Sequence, residues 1–461
     1  MSSIPAIGIF DIGKTNKKFL VFDAQYKIIL EESIQLPEMT DEDGFPCENL
    51  NALRNWIKQM STTKMASTQF NLVAMNFSAY GASFVHVDEQ GNSMTPLYNY
   101  LKPFPEALKN QFYQKYGGEE LFSQLTASPV LGSLNSGLQL YRLKMERPEL
   151  FEKIRYSLHL PQWISSLMNH QFFSDMTSIG CHTGLWNFQK KRYHDWVELE
   201  GIVRKLAPVF PSVFTVDTNW EGRTLITGIG LHDSSAALVP YLLLEDEPFI
   251  LISSGTWNIS LNPFNQTALT ADELSKDGLC YLEFRGRPVK ASRLFAGHEH
   301  EQQTKRLAEY FQVSPDYYKQ IRFHQDLLIT LQKDNQNNPG NHEVTKSGPM
   351  QIMKFKTREL TQFKEYATAY HQLIQDIVAQ QKESTNLVLG DNPVKRIVVD
   401  GGFSKNDLFM HLLANAFPRL EIQAASVAQA SALGAALAIH RSWNQQDIPA
   451  DLVDVVSFSP K

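Results

Sequence analysis

Cysteine is scarce in this chain: Cys47, Cys181 and Cys280 are the only three in 461 residues, and no CxxC pair occurs. This argues against a disulfide framework and against a zinc site, and it suits a reducing compartment. Long hydrophobic runs are missing too, since none approaches the ~18–20 residues that span a bilayer. Asp11 interrupts the N-terminal segment before a signal-peptide core can form. We therefore expect a cytoplasmic protein with no membrane partner.

An excess of either charge sign is also absent. The chain has 43 Lys and Arg against 49 Asp and Glu, a formal net charge of −6, and its basic residues are scattered. No surface is predicted to follow a nucleic-acid backbone, so nucleic acid is excluded as a partner. The expected partner is a small molecule, with a homodimer left as an open option. At roughly 150 residues per domain, the length allows two or three domains.

Two common phosphate-binding loops are absent as well, the GxxxxGK[ST] loop and a GxGxxG that follows a strand. The sequence instead contains an internal repeat. Residues 6–22 are an apolar run, a short polar turn with a glycine, and a second apolar run, and residues 249–261 repeat this design. Both segments predict β-hairpins whose tight turns expose backbone N–H groups. Two such hairpins, each opening one half of the chain, predict two related domains that face each other.

A third segment, residues 396–417, is predicted to run from a buried strand through Gly401 and Gly402 into a helix. Glycines allow close approach, and a helix N-terminus favours anions, although such a turn is most often only a turn. The intervening chain is predicted to be mostly helical, over 104–125, 136–150, 161–170, 300–335 and 356–385. The Asn-, Gly- and Pro-rich stretch 335–350 predicts a loop, and the domain boundary is expected at 241–247.

Asp11 ends the first predicted strand and is followed by a turn containing Gly13, Lys14, Thr15 and Asn16. A carboxylate there can hold hydrated Mg²⁺, while the turn's N–H groups and the lysine neutralise phosphate oxygens. The alternative is an acid that merely caps the hairpin turn. The residues alone leave both interpretations open.

Asp233 begins a predicted helix of small residues and follows His232. The acid could simply cap the helix. Beside a cleft, it could instead accept the proton of an attacking hydroxyl, as sugar phosphorylation requires. His232 is either a substrate contact or a core histidine. Similarly, Gly255 and Thr256 would meet the other side of a triphosphate or would only hold their hairpin together.

These motifs, in this order, resemble those of the FGGY carbohydrate kinases over nearly the whole length. IGIFDIGKTNKKFLVFD is similar to the family's first phosphate hairpin, DxGxxxxK, and GLHDSSAA to its GHDxxxA segment. SSGTW at 253–257 resembles the second phosphate hairpin. DGGFSKNDLFMHLLANAF, with ASALGAALA at 430–438, resembles the adenine-side signature, and residues 72–92 resemble the hairpin that reads the sugar.

The resemblance implies a role for each matching position. Asp233 would be the catalytic base, and Asp11 and Asp233 would be the ligands of Mg²⁺. Contacts with the sugar are expected from Tyr80, Gly81, Ser83, His232 and Asp233. Contacts with ATP are expected from Gly13, Lys14, Thr15, Asn16, Lys18, Gly255, Thr256, Gly401, Gly402 and Asn406.

We therefore predict an α/β fold of two ribonuclease-H-like domains, of the actin and hexokinase ATPase type, with a cleft between them. Residues 1–241 would form the sugar and phosphate side and residues 247–445 the nucleotide side. The implied activity is transfer of the γ-phosphate of ATP to a hydroxyl of a ketose or polyol such as rhamnulose, fuculose or xylulose. The cofactors implied are ATP and Mg²⁺.

Three positions depart from the family pattern. Lys14 stands where many members have a small hydroxyl residue, Ser83 where an acid is common, and Gln429 where an acid usually precedes the LGAA run. The change at Ser83 alters which sugar hydroxyls can be paired. Two other functions remain open: a non-catalytic nucleotide-gated binding protein, and a kinase that forms acyl phosphates on the same scaffold.

Overall fold

The computed structural model describes residues 4–220, 222–245, 247–328, 331, 354–391, 393–427 and 429–461. The predicted loop at 335–350 lies outside these residues. The helix predicted at 300–335 ends at Phe311, where Gln312 has a left-handed backbone, and the end of that prediction also lies outside the described residues. The described residues form two α/β units, each built on a seven-stranded sheet. None of their helices is both long and apolar enough to cross a bilayer.

The first sheet is built around a buried parallel pair, Ile4–Ile12 and Phe70–Ala79. The predicted N-terminal hairpin (Ile4–Ile12 and Lys17–Asp23) is confirmed, and its second strand pairs with Ile28–Ile34. Thr215–Trp220 and Arg223–Gly228 extend the other edge, while Leu231–His232 pairs with the end of Phe70–Ala79.

The second sheet repeats this plan. Its predicted C-terminal hairpin (Phe249–Ser254 and Asn258–Asn262) is also confirmed, and the first strand again pairs in parallel with a neighbour, Arg396–Gly401. The order across the sheet is Gly278–Leu282, Pro288–Leu294, Asn258–Asn262, Phe249–Ser254, Arg396–Gly401, Glu421–Ser426 and Asp454–Phe458. The last strand extends this unit past residue 445, where the sequence analysis ended it.

Helices cover the sheets and form a large layer beside the first one. Those of the first unit are Leu50–Met65, Glu106–Lys115, Glu119–Thr126, Ser136–Glu146, Pro148–Lys153, Leu160–Asn169, Met176–Ile179, Asp195–Leu199 and Asp233–Leu244. Those of the second are Ala271–Ser275, Ala296–Phe311, Tyr366–Leu389, Asp407–Ala416, Ala430–Ala438 and His440–Trp443. Short two-stranded ribbons join Met39–Thr40 with Pro46–Cys47, Phe84–Val87 with Tyr156–His159, Ser174–Asp175 with Val209–Phe210, and Trp186–Asn187 with Arg192–Tyr193.

Some predicted helices are shorter than expected. The helix predicted at 104–125 is interrupted by Gly117 and Gly118, whose φ angles of +92° and +88° end a right-handed helix. The helix predicted at 136–150 breaks before Pro148, which begins a new helix at its first position. The helix predicted at 356–385 begins only at Tyr366, because 3₁₀ turns occupy 354–357 and 360–362.

The two units meet along the interdomain helix pair (Asp233–Leu244 and Ala430–Ala438), which contributes to a core shared by both sheets. The helices approach so closely that a Cβ at Gly434 would lie 1.8 Å from the Ala236 carbonyl oxygen. The buried Asn76 side chain adds a polar link, since its Nδ2 donates to a carbonyl of the second helix at 2.8 Å. The two units are therefore tightly packed against each other along this helix pair.

Candidate active site

Three strands of the first sheet end side by side. The register pairs Asp11 with Ser78 on one side of the central strand, and Leu231 with Ser78 on the other. All three strands are parallel, so their carboxyl ends share one edge of the sheet, which is where open α/β sheets bind ligands. Asp11, the turn that follows Ala79, and Asp233 are therefore brought together at this edge.

Asp11 contacts both units. Its Oδ2 accepts a hydrogen bond of 2.8 Å from the Ser431 hydroxyl, at the start of the second interdomain helix. Burial raises the pKa of Asp11 to about 6, the Ser431 bond acts in the opposite direction, and the negative charge of Asp233 raises it further. The two carboxylates are thus close enough to interact electrostatically.

Asp233 is the first residue of its helix, so the prediction that it is the N-cap is wrong by one position. The cap is His232, whose side chain makes no capping bond. Asp233 Oδ1 accepts from the Ser234 backbone N–H at 2.6 Å and lies 3.2 Å from His232 Nε2. A carboxylate in the first turn is favoured by the helix dipole whether or not it caps.

The two neighbours have complementary ionisation. Burial raises the pKa of Asp233 to about 6 and lowers that of His232 to about 4. At neutral pH the imidazole is therefore uncharged and can donate from Nε2 to the carboxylate. About 34% of the Asp233 side chain remains exposed, in contrast to 5% of His232. The Asp233 carboxylate is thus desolvated but still accessible.

The donor chemistry at this edge fits Mg²⁺. Within the part of the chain that the structure describes, no group of three or more His, Cys, Asp and Glu side chains is placed to hold a metal ion. Mg²⁺ usually takes one or two carboxylates together with water and substrate phosphate oxygens. Burial disfavours the ionised forms of Asp11 and Asp233, so a bound cation would stabilise both carboxylates. The pair matches the donor set of Mg²⁺ when a nucleotide supplies the remaining oxygens.

The phosphate turn, residues 13–16 of the N-terminal hairpin, is closed by a bond from the Gly13 N–H to the Asn16 carbonyl at 3.0 Å. Thr15 and Asn16 are exposed. The Lys14 amine lies 2.8 Å from Glu38, and the Lys18 amine lies 2.6 Å from Gln429 Oε1. Each ammonium group has three N–H donors and therefore keeps donors for a phosphate beside its present partner. An exposed ion pair such as that of Lys14 is also worth only about 0–1 kcal/mol.

The C-terminal hairpin turn borders a cavity of about 500 Å³, within the range of cofactor pockets. Three predicted ATP contacts line it, Gly255, Gly402 and Asn406. Gly401 is not among the residues that line the cavity but directly precedes Gly402, and its φ of +91° and its approach to the Ser254 carbonyl leave no room for a Cβ. Thr256 is exposed beside Gly255. Residues that the sequence analysis did not single out also line the cavity, among them Gly297, His300, Tyr318, Arg322, Tyr370 and Lys405.

Asn406 has a structural function in addition to its place in this cavity. Its Oδ1 caps the helix Asp407–Ala416 by accepting from the Phe409 N–H at 3.0 Å. Its Nδ2 donates to the Tyr370 hydroxyl at 2.8 Å, and that hydroxyl also lies 3.0 Å from His300 Nε2. The cavity wall is therefore held by a connected hydrogen-bond network.

Both halves of the chain match one family. Residues 6–219 match the FGGY family of carbohydrate kinases, N-terminal domain, and residues 246–447 match the carbohydrate kinase FGGY, C-terminal domain. The chain belongs to the FGGY family of carbohydrate kinases. It is 23% identical over 261 residues to a rhamnulokinase of Halalkalibacterium halodurans and 24% identical over 273 residues to an L-fuculokinase of Escherichia coli (strain K12). Each match covers 54% of this chain, and 54% and 55% of the two relatives, so the chain spans about half the length of the curated relatives it matches.

Solved structures agree on the fold. A carbohydrate kinase from Novosphingobium aromaticivorans superposes with a TM-score of 0.77 at 20% identity, covering 98% of this chain and 96% of the other. Plasmodium falciparum glycerol kinase with ADP also gives 0.77, at 14% identity and with coverage of 100% and 94%. At these identities the likeness concerns the fold alone, and it confirms the predicted pair of ribonuclease-H-like domains.

In this FGGY chain, the sugar turn (residues 81–83) follows the central strand. A Cβ at Gly81 would lie 2.9 Å from both Cys181 Sγ and the His232 ring, so the turn is packed against the residue that precedes Asp233. Ser83 is 1% exposed, and among the described residues its hydroxyl has no hydrogen-bond partner. An unpaired buried hydroxyl costs about 1–3 kcal/mol. A ligand hydroxyl or a water would remove that cost.

Two aromatic residues flank this FGGY sugar turn. The Tyr80 hydroxyl donates to Glu48 at 3.2 Å, so towards a sugar this hydroxyl can only accept a hydrogen bond. Tyr100, which the sequence analysis missed, packs edge-on against the Tyr80 ring at 6.1 Å. Burial and the charge of Asp233 both raise the pKa of Tyr100, so the Tyr100 hydroxyl lies near that carboxylate. Only its position shortly after the sugar hairpin could have indicated it.

Proposed function

We propose that this FGGY chain transfers the γ-phosphate of ATP to a hydroxyl of a ketose or polyol. One observation carries the proposal. Asp233, whose pKa is raised to about 6, lies at the same sheet edge as Asp11, directly follows the histidine that packs against Gly81 of the sugar turn, and keeps about 34% of its side chain exposed. A general base works best when its pKa lies near the operating pH, and this carboxylate meets that condition.

The proposed chemistry uses Asp233 as the base. The acceptor hydroxyl donates its proton to the carboxylate while its oxygen attacks the γ-phosphorus, and the bond from that phosphorus to the β,γ-bridging oxygen breaks to release ADP. The Ser234 N–H and His232 Nε2 both contact Oδ1, which leaves Oδ2 for the acceptor. Since phosphoryl transfer requires little covalent help, positioning supplies most of the rate.

The two hairpin turns supply the phosphate contacts in this proposal. Backbone N–H groups of the phosphate turn and of the turn at Gly255 and Thr256 would approach the triphosphate from opposite units, with Lys18 nearby. Gly401, Gly402 and Asn406 would border the adenosine in the 500 Å³ cavity. Asp11 and Asp233 would hold Mg²⁺, which when bound neutralises charge on the phosphate oxygens.

The acceptor is proposed to be an uncharged ketose. Relatives named rhamnulokinase and L-fuculokinase favour rhamnulose and fuculose, and solved xylulose kinases of the same fold add xylulose. The sugar turn, Gly81-Ala82-Ser83, carries no cation. An acyl-phosphate kinase needs a positive group to receive a carboxylate acceptor, so the neutral turn disfavours that alternative.

A coupled assay of ADP release tests the proposal. Purified protein with Mg²⁺ and ATP is supplied in turn with rhamnulose, fuculose, xylulose, glycerol and acetate. We expect at least one ketose to stimulate ADP release and to yield a sugar phosphate by mass spectrometry. ATP hydrolysis that no sugar changes would instead indicate the nucleotide-gated binding protein, and stimulation by acetate alone would indicate the acyl-phosphate kinase.

A further inference from the structure

A buried ion pair lies outside the catalytic carboxylates. Lys17 and Glu48 are only 2% and 3% exposed, and the Lys17 amine lies 3.0 Å from Oε1 and 3.1 Å from Oε2 of Glu48. The same amine donates to the Lys14 carbonyl at 2.9 Å, inside the phosphate turn. The proposed chemistry assigns no role to this pair.

The pair also reaches the sugar turn. Glu48 Oε2 accepts from the Tyr80 hydroxyl at 3.2 Å, and Tyr80 directly precedes Gly81. The Tyr80 backbone N–H donates to the Ile12 carbonyl at 3.1 Å, one residue before the phosphate turn. An unbroken hydrogen-bonded chain therefore runs from the phosphate turn through Lys17, Glu48 and Tyr80 to the sugar turn.

Stability alone does not explain such a chain. Desolvating a buried ion pair costs about as much as the attraction returns, and apolar replacement of both partners is often neutral or stabilising. The geometry here links two loops that are far apart in the sequence, and it uses the second oxygen of Glu48 to do so. A rigid link of this kind fixes the distance between two binding turns.

We propose that Lys17, Glu48 and Tyr80 couple nucleotide binding at the phosphate turn to sugar binding at the sugar turn, with Glu48 as a positioning residue. The inference rests on the proposed function. A nucleotide that orders the phosphate turn fixes the Lys14 carbonyl and with it the Lys17 amine. The amine fixes the Glu48 carboxylate, which in turn positions the Tyr80 side chain beside the sugar. By thermodynamic linkage a sugar then tightens nucleotide binding by the same factor.

Calorimetry measures this coupling directly. The dissociation constant of Mg²⁺·ADP is determined with and without a saturating amount of the ketose that is phosphorylated fastest. We expect the ketose to tighten ADP binding by about 5-fold or more in the wild type. Tyr80→Phe keeps the ring and the ion pair but removes the bond to Glu48. In this variant the ratio of the ADP dissociation constants without and with the ketose should lie within about 2-fold of one.

Two further variants separate coupling from folding. The double variant Lys17→Met with Glu48→Leu removes both charges, so we expect it to remain folded by thermal unfolding and yet to lose the coupling. Tyr113→Phe is the matched control, because Tyr113 is also buried but lies in the helix Glu106–Lys115, outside both turns. It should keep the wild-type ratio.

The outcomes are distinct. A wild-type ratio of one, or an unchanged ratio in Tyr80→Phe, overturns the inference and leaves the kinase proposal intact. A wild type that no ketose stimulates overturns the kinase proposal itself. If the double variant does not fold, the comparison of Tyr80→Phe with Tyr113→Phe still decides the question.

Discussion

Replacing Asp233 by asparagine removes the proposed base while it keeps the shape of the side chain. A positioned general base contributes about 100-fold or more to a rate, so we expect kcat to fall by at least about 100-fold. The cavity proposed to hold the adenosine belongs to the other unit, so KM for ATP should change little. The acid limb of the low activity that remains should lose the contribution of the Asp233 carboxylate, whose pKa is about 6, and keep only that of Asp11.

The same variant should be more stable than the wild type. Folding raises the pKa of Asp233 from its ordinary 3.8 to about 6, so the folded state binds the proton more tightly than the unfolded state. Stability therefore decreases as the pH rises from about 4 to about 6, and the full cost, at most about 3 kcal/mol, applies above pH 6. Since a third of the side chain faces solvent, screening reduces this to about 1–2 kcal/mol.

Two measurements check these expectations. A coupled assay with the best ketose gives kcat, and urea unfolding at pH 7.5 and at pH 4 gives the free energy of unfolding. Asp233→Asn should gain about 1–2 kcal/mol at pH 7.5 and little at pH 4. Asp217→Asn, on an exposed position of an edge strand, is the control and should change neither quantity. If Asp233→Asn retains more than half of the activity, the base is misassigned; a loss of stability at pH 7.5 would refute burial as the cause of its pKa.

Three further predictions concern neighbouring features. Ser431→Ala removes a hydrogen bond that favours ionised Asp11, so the acid limb of the kcat/KM profile should move to higher pH, and an unmoved limb would mean that Asp11 does not titrate in catalysis. Gly434→Ala forces a Cβ against a backbone oxygen 1.8 Å away and should cost about 1–3 kcal/mol in thermal unfolding, whereas an unchanged Tm would contradict the close helix contact. Tyr370→Phe removes a partner of Asn406 and should weaken ADP binding several-fold by calorimetry. An affinity equal to that of the wild type would show that this hydrogen-bond network does not contribute to ADP binding in the cavity.

Much of the candidate site could be predicted from short windows of sequence. Both hairpin turns, the strand that leads into Gly401 and Gly402, and the helix that begins at Asp233 depend on local chemistry. Apolar runs, glycines and helix starts act over fewer than about ten residues, and the sequence displays them directly. The same locality explains the errors: small differences in turn chemistry moved a helix cap by one residue and interrupted the helix at Gly117.

The sequence could not reveal contacts between distant segments. Ser431 lies 420 positions from Asp11, and Gln429 lies 411 positions from Lys18, yet both pairs are hydrogen-bonded. The sequence analysis missed three further features for the same reason: Tyr100 near Asp233, the residues that complete the cavity, and Glu48, the buried partner of Lys17. No local pattern distinguishes them from ordinary polar or aromatic residues.

The sequence by itself determined the duplicated hairpin design and the α/β class, because each follows from a local pattern of apolar and small residues, whereas the proposed roles of Asp11 and Asp233 came from the resemblance to a family. Only the tertiary structure decided the pKa values of Asp11 and Asp233, since desolvation depends on everything packed around a carboxylate. It also decided that Lys17 and Glu48 join the two turns, because a buried charge is tolerated only where folding brings its partner within reach.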